Sequence, residues 1–221
     1  MKRLAVLACL LAPATIPVAA RAAPPISVAS ACEAAIAAAE RRAQTAPGLL
    51  HAIGLVESGR ADPRSGTRRP WPWTISAEGI GTFYPTKAEA IAAVQALQAR
   101  GVTSVDVGCM QVNLQYHPAA FRSLEDAFEP GVNATYAARF LQSLYARLGA
   151  WPTAAAAYHS FTPGLGAQYA KLIAAVWSGA PVPVVEQPNG TEIVRFPGGG
   201  EMRMFRSAGD QGRGRVFGVL D

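Results

Sequence analysis

Apolar residues recur at helical spacing through most of the chain between Cys32 and Gly179. Cys32 to Ala43 is alanine-rich and patterned as a helix. In Leu49 to Gly59, LLHAIGLVESG, the residues Leu49, Ile53 and Val56 form an apolar stripe with Leu50 beside it. Pro47 suits the first turn of that helix and Gly59 its end. Thr86 and Glu89 make a capping box for a helix running to Arg100, with Gly101 as its stop. Phe140, Leu141, Leu144, Tyr145 and Leu148 supply the stripe of a helix ending at Gly149, and two more helices are expected at Thr153 to Ser160 and Leu165 to Ser178. Between Pro70 and Pro85 the pattern changes. WPWTIS and IGTFYP are β-rich runs joined by Ala77-Glu78-Gly79, which predicts a hairpin. The fold class is therefore mainly α, with one small β-hairpin insertion.

Both ends depart from this pattern. Residues 1 to 22 carry a basic start, an apolar run broken by Pro13 and Pro17, and small residues at Ala20 and Ala22. They read as a secretory signal peptide cleaved near Ala22 and not as a membrane span. Cys9, in Val6-Leu7-Ala8-Cys9, fits a lipobox only loosely, because too few residues precede it. The expectation is a periplasmic or secreted protein with no stable membrane anchor. Residues 23 to 179 form the predicted domain. Residues 180 to 221 begin with a proline-rich linker, and TEIVRF and EMRMFR then suggest a terminal hairpin; disorder or a partner-binding tail is the alternative.

Charge adds little. Losing Lys2, Arg3 and Arg21 with the leader, and no acid, lowers the formal net charge from +5 to +2. No basic run of the kind that binds nucleic acid is left. Cys32 and Cys109 would face an oxidising compartment after export and are predicted to pair, with two free buried thiols as the alternative.

The candidate chemistry begins at Glu57, an acid that falls almost above Leu50 on the apolar face of its helix, in the last turn. Burial and the negative end of the helix dipole both raise a carboxyl pKa, so Glu57 is a candidate general acid, with a surface position on a frayed helix end as the alternative. Two further blocks follow it in order: Asp106-Val107-Gly108-Cys109-Met110-Gln111-Val112-Asn113, and Ala156-Ala157-Tyr158-His159-Ser160.

With Val56-Glu57-Ser58-Gly59, these blocks resemble the lytic transglycosylases that carry a soluble-lytic-transglycosylase (SLT) domain, over roughly Cys32 to Ser178. That family's signatures are a Glu-Ser pair ending a helix, a Gly-Leu-Met-Gln block and an Ala-Tyr-Asn block. The resemblance implies a lysozyme-like helical domain acting on peptidoglycan glycan strands, with Glu57 as sole catalytic acid and base and no cofactor. Ser58 would orient substrate or acid. Gly108, Met110, Gln111 and Asn113 would line the sugar cleft, and Tyr158 would stand opposite Glu57. Cys109 replaces the leucine of the second block and His159 the asparagine of the third, which leaves the part of His159 open.

Trp71, Trp73 and Tyr84 offer flat faces for a cleft wall or, equally, a small satellite core. Asp106 is either a second carboxylate or, the preferred reading, a turn-stabilising aspartate. His51, His117 and His159 are dispersed without ligand spacing, so no metal is expected. Two other functions fit the same sequence. One is a hydrolytic muramidase; the other is a noncatalytic wall-binding protein, monomeric like the enzyme, whose tail docks a secretion or conjugation apparatus.

Overall fold

The computed structural model describes residues 28–62, 65–186, 192–195, 201–206 and 219–220. The predicted leader, Cys9 included, lies outside the described residues. Among these, the helices are α1 (Val28–Ala43), α2 (Leu49–Ser58), α3 (Lys87–Ala99), α4 (Leu124–Ala127), α5 (Pro130–Leu148), α6 (Trp151–His159) and α7 (Pro163–Trp177). The strands are β1 (Gly59–Ala61), β2 (Arg68–Pro70), β3 (Thr74–Ala77), β4 (Ile80–Phe83), β5 (Val105–Val107), β6 (Val112–Asn113), β7 (Val184–Glu186), β8 (Glu192–Arg195), β9 (Glu201–Arg206) and β10 (Val219–Leu220). The mainly α, lysozyme-like architecture expected from the sequence is the one observed.

Helix α2 lies in the main core. Leu50, Ile53 and Val56 are fully buried, as are Ile36 of α1, Leu141 of α5 and Met110, all in one core. Burying one such side chain contributes about 1.5–3 kcal/mol. Gly54 lets this crowding happen, because a Cβ there would lie 2.8 Å from Ile36 Cδ1. The first amides of α2 have no intrahelical acceptor. The Glu40 carboxylate of α1 accepts from Leu50 N at 2.7 Å and from His51 N at 3.3 Å, which fixes the start of the helix. Both charge and dipole favour that arrangement.

The predicted hairpin is β3–β4, with Ala77 opposite Ile80. Its two-residue turn has positive φ at both Glu78 (53°) and Gly79 (70°), the geometry that matches strand twist. The β element is larger than a hairpin. One sheet runs in the order β6-β5-β3-β4-β9-β8-β7, with β10 paired to β9. The expected terminal hairpin is β8–β9, and it is not isolated: β9 pairs in parallel with β4, and β7, inside the segment read as linker, pairs with β8. Glu192 of β8 is buried in an ion pair with Arg68, which also donates to the Gly59 carbonyl just beyond α2.

The sheet alternates sharply. Ile75 and Ala77 of β3 and Val105 and Val107 of β5 point into a second core with Ala90 and Val94 of α3 and Phe128. Ser76 and Asp106, paired across the strands, occupy the opposite face. Trp73 and Tyr84 pack against this second core and Trp71 against the first; Trp71 donates its indole N–H to the Tyr84 carbonyl at 2.7 Å. The three aromatics are thus spread over both cores, and none is among the described residues lining the cleft.

Cys32 and Cys109 are joined, with Cα atoms 5.8 Å apart at a sequence separation of 77. A loop of that length gives about 4 kcal/mol of stabilisation by chain entropy. Reduction, or replacement of both cysteines by serine, is expected to lower the thermal midpoint by about 10 °C. Melts with and without reductant check this.

Candidate active site

An open cleft of about 930 Å³ lies between the helical part and the polar face of the sheet, within the size range of ligand sites. Its helical wall carries Glu57, Tyr158 and His159, and its sheet wall carries Ser76, Asp106, Gln111 and Asn113.

Glu57 reaches the cleft from the end of α2, where its neighbours Val56 and Ser58 are buried. The Tyr169 hydroxyl of α7 donates to Glu57 Oε1 at 2.6 Å. Burial dominates the electrostatics and pushes the Glu57 carboxyl from its ordinary 4.5 up to about 8. The Tyr169 hydrogen bond opposes that rise and the negative charge of Asp106 adds to it. Near neutrality Glu57 therefore holds a proton, as a general acid requires. The His159 ring stacks on Tyr169, with centroids 4.5 Å apart and planes 3° from parallel, and burial lowers its pKa. Tyr158 donates to the Met110 carbonyl at 2.8 Å, and burial first, then the charges of Glu57 and Asp106, hold its hydroxyl protonated.

Residues 108–111 form a tight turn. Gly108 has φ 82°, and a Cβ on it would come within 2.7 Å of Asn133 Cγ. Asn133, fully buried on α5, donates to the Val107 and Ala127 carbonyls at 2.9 and 3.0 Å and accepts from Met110 N at 2.9 Å. Gln111 has φ 46° and donates from Nε2 to the Thr74 and Gly108 carbonyls at 3.1 and 2.9 Å. Its Oε1 is buried with no hydrogen-bond partner among the described residues. A non-glycine residue at positive φ is strained, and such strain is tolerated where a side chain must be aimed.

Asp106 is not in a turn, contrary to the preferred sequence reading. It sits on β5 facing the cleft, and Asn113 Nδ2 donates to its Oδ1 at 3.0 Å. Burial raises its carboxyl from 3.8 to about 6, and the Asn113 hydrogen bond limits the rise.

The model of the transglycosylase SLT domain matches residues 34–165, more than half of the chain. The chain belongs to the SLT domain family. No curated protein and no solved structure gives a significant match. The family assignment supports a peptidoglycan-acting function of lytic transglycosylase type. Among the described residues, no helix is long and apolar enough to cross a membrane.

Within this SLT domain, Glu57, Gln111, Asn113, Tyr158 and His159 share the cleft. Gly108 and Met110, expected to line it, and Ser58, expected to orient substrate or acid, are buried behind its wall. Ser58 donates to the Cys109 carbonyl at 2.6 Å and ties α2 to the turn, while Met110 belongs to the main core. Their side of the turn is consumed in holding Gln111 out. Tyr169 and Asn133 were missed. Both are polar residues on otherwise apolar stripes, Tyr169 with Leu172, Ile173 and Val176, and Asn133 with Ala137 and Leu141. A polar tip on a buried face must find a partner, which was the available signal. The aromatics on the cleft are Tyr136, Phe140, Tyr158 and, both exposed, Tyr116 and Phe161.

Tyr169→Phe removes a donor that favours the charged form of Glu57. Its carboxyl pKa is expected to rise further, moving the alkaline limb of the rate profile upward. Loss of orientation should lower the rate by about ten- to a hundredfold. A pH–rate profile of the variant measures both.

Proposed function

We propose that this protein is an exported peptidoglycan lytic transglycosylase in which Glu57 acts first as acid and then as base. The observation that carries the reading is a half-buried carboxyl on the wall of an open cleft, oriented by Tyr169 and favoured in its protonated form by burial, in a chain of the SLT family. Glu57 would protonate the glycosidic oxygen between N-acetylmuramic acid and N-acetylglucosamine. The bond from that oxygen to C1 breaks, and the substrate's N-acetyl group supports the positive charge left at C1. The carboxylate then takes the proton of the muramic acid 6-hydroxyl as its oxygen closes on C1. The product is a 1,6-anhydro sugar, and no water is consumed.

Gln111 and Asn113 would shape the sugar-binding wall, Tyr158 would back the reacting ring, and His159 would support Tyr169 through the stacked face. Ser58, Gly108 and Met110 would act by fixing the wall. The disulfide accords with work outside the cytoplasm.

Mass spectrometry of products released from isolated sacculi tests this reading. Anhydromuropeptides are expected from the wild type and none from Glu57→Gln. Reducing muramic acid ends would replace it with hydrolysis, and release by the Glu57→Gln protein would overturn the role of Glu57.

A further inference from the structure

We infer that Arg68 and Glu192 are positioning residues for Glu57. Glu192 of β8 holds the Arg68 guanidinium against the Gly59 carbonyl, and that contact fixes the last turn of α2, which carries the acid. The inference rests on the reading of Glu57 just given and assigns a task to the segment after Gly179.

The end of α2 needs such a contact. The last carbonyls of a helix have no intrahelical donor, and this helix has no basic residue in its last turn to meet them. Its end is held from outside at three points. Ser58 Oγ donates to the Cys109 carbonyl at 2.6 Å, and Trp71 N donates to the Ser58 carbonyl at 2.9 Å. The third point is Arg68, whose two terminal nitrogens divide the work: Nη1 donates to the Gly59 carbonyl and Nη2 to Glu192 Oε2. Arg68 lies on β2 opposite Ala61 of β1, so it reaches Gly59 diagonally across the ribbon.

Glu192 sets where the guanidinium points. Side-chain exposure is 15% for Arg68 and 8% for Glu192, so water competes little for either. A cation so placed needs its anion, and a planar fork engaged on one side is directed on the other. The anion comes from far along the chain. Glu192 follows Arg68 by 124 positions and lies outside residues 34–165, the part that matches the SLT domain. Its strand is placed by pairing with β7 and β9, and β9 is placed by β4. The catalytic unit of this chain therefore extends past the family domain to β8.

Glu57 stands two residues before Gly59, with Oε1 held by the Tyr169 hydroxyl at 2.6 Å. To keep its proton near neutrality the carboxyl has to stay in that orientation, withdrawn from water. A last turn released from Arg68 would let it swing toward the open cleft.

Replacing both partners separates positioning from stability. Apolar side chains of similar size substitute for a buried ion pair at little cost to a fold, so Arg68→Met combined with Glu192→Leu is expected to melt within about 3 °C of wild type. The pair of changes removes one cation and one anion, which leaves the net charge near Glu57 as it was. What is lost is the donor to the Gly59 carbonyl. On soluble glycan strands the kcat of this double variant is expected to fall about tenfold to thirtyfold, with KM within about threefold of wild type. The alkaline limb of its pH–rate profile should move to lower pH, because a carboxyl nearer water titrates closer to its ordinary value. The other groups about Glu57 are untouched: Tyr169, Tyr158, His159 and Asp106 around the cleft, and Arg60 and Arg69 on the β1–β2 ribbon.

A double variant with kcat within about threefold of wild type and the alkaline limb in place would overturn the inference. Should it not fold, Glu192 alone decides. Glu192→Gln, which still accepts from Arg68, is expected to keep at least about a third of the wild-type kcat, and Glu192→Leu about a tenth or less; equal rates for the two defeat the role of Glu192. A wild type that cleaves no glycan fails the reading of Glu57 as well, whereas a fully active double variant fails only the role of Arg68 and Glu192.

Discussion

Glu57→Gln is expected to lower glycan cleavage by at least about a thousandfold and, at the same time, to stabilise the fold above neutral pH. Both effects come from one carboxyl. The rate effect follows because glutamine cannot donate the proton that the leaving oxygen needs. The stability effect follows from linkage. The carboxyl titrates near its ordinary 4.5 in the unfolded chain and near about 8 in the folded one, so between those values the folded state binds more protons. Stability then falls with rising pH across that window, at about 1.4 kcal/mol per unit for a full shift. Part of Glu57 meets the cleft, which screens it, so the accumulated cost is roughly 2 to 4 kcal/mol by pH 8. Glutamine lacks this cost and still offers an oxygen to the Tyr169 hydroxyl. Melts of wild type and variant should coincide near pH 4 and diverge steadily above it, the variant melting higher. Coinciding curves at pH 8 would show that the carboxyl is solvated, and the general-acid argument would lose its basis.

Asn133→Ala should be the most damaging substitution away from the reacting atoms. The Asn133 side chain alone satisfies Met110 N and serves the Val107 and Ala127 carbonyls, at 2.9 to 3.0 Å, in a fully buried position. Alanine leaves three buried backbone groups with a lost partner, at about 1–3 kcal/mol for each that stays unmet. Some relaxation and a trapped water reduce the sum, so a loss of about 3 to 5 kcal/mol is expected. Urea unfolding measures it. Activity should fall further than stability predicts, because Gln111 sits one residue beyond Met110 on the same turn. Asn133→Asp is a useful contrast: it keeps the acceptor for Met110 N, but its charge faces two carbonyls, so it should rescue little.

All the described helices but the four-residue α4 were legible, most of them because they bury one stripe. Leu50, Ile53 and Val56 of α2, and Leu141 and Leu144 of α5, are in the core as their spacing implied. The β3–β4 hairpin was legible through Glu78 and Gly79, since local turn chemistry needs no distant partner. What the sequence hid depends on partners far along the chain. Strands β5, β6 and β7 are two or three residues long, too short for a period, and exist because β3 pairs with β5, β5 with β6 and β8 with β7. Asp106 looked like a turn residue next to Gly108, although the alternation Val105, Asp106, Val107 carried the better clue. Trp71, Trp73 and Tyr84 attracted attention as sugar platforms, yet large aromatics more readily complete a core, and the cleft drew Tyr116 and Phe161 from loops instead. Glu57 itself was legible because a lone acid on an apolar stripe conflicts with every local rule of burial.

The parallel pairing of β9 with β4 bears on how this protein is made. A chain leaves the ribosome from its N-terminus, so β4 exists long before residues 201–206 arrive to cover it. Until then β4 is an open sheet edge, a template for pairing with another copy. Completion of the sheet thereby waits for residues 201–206, and fragments that stop short of β9 leave this edge open to aggregation.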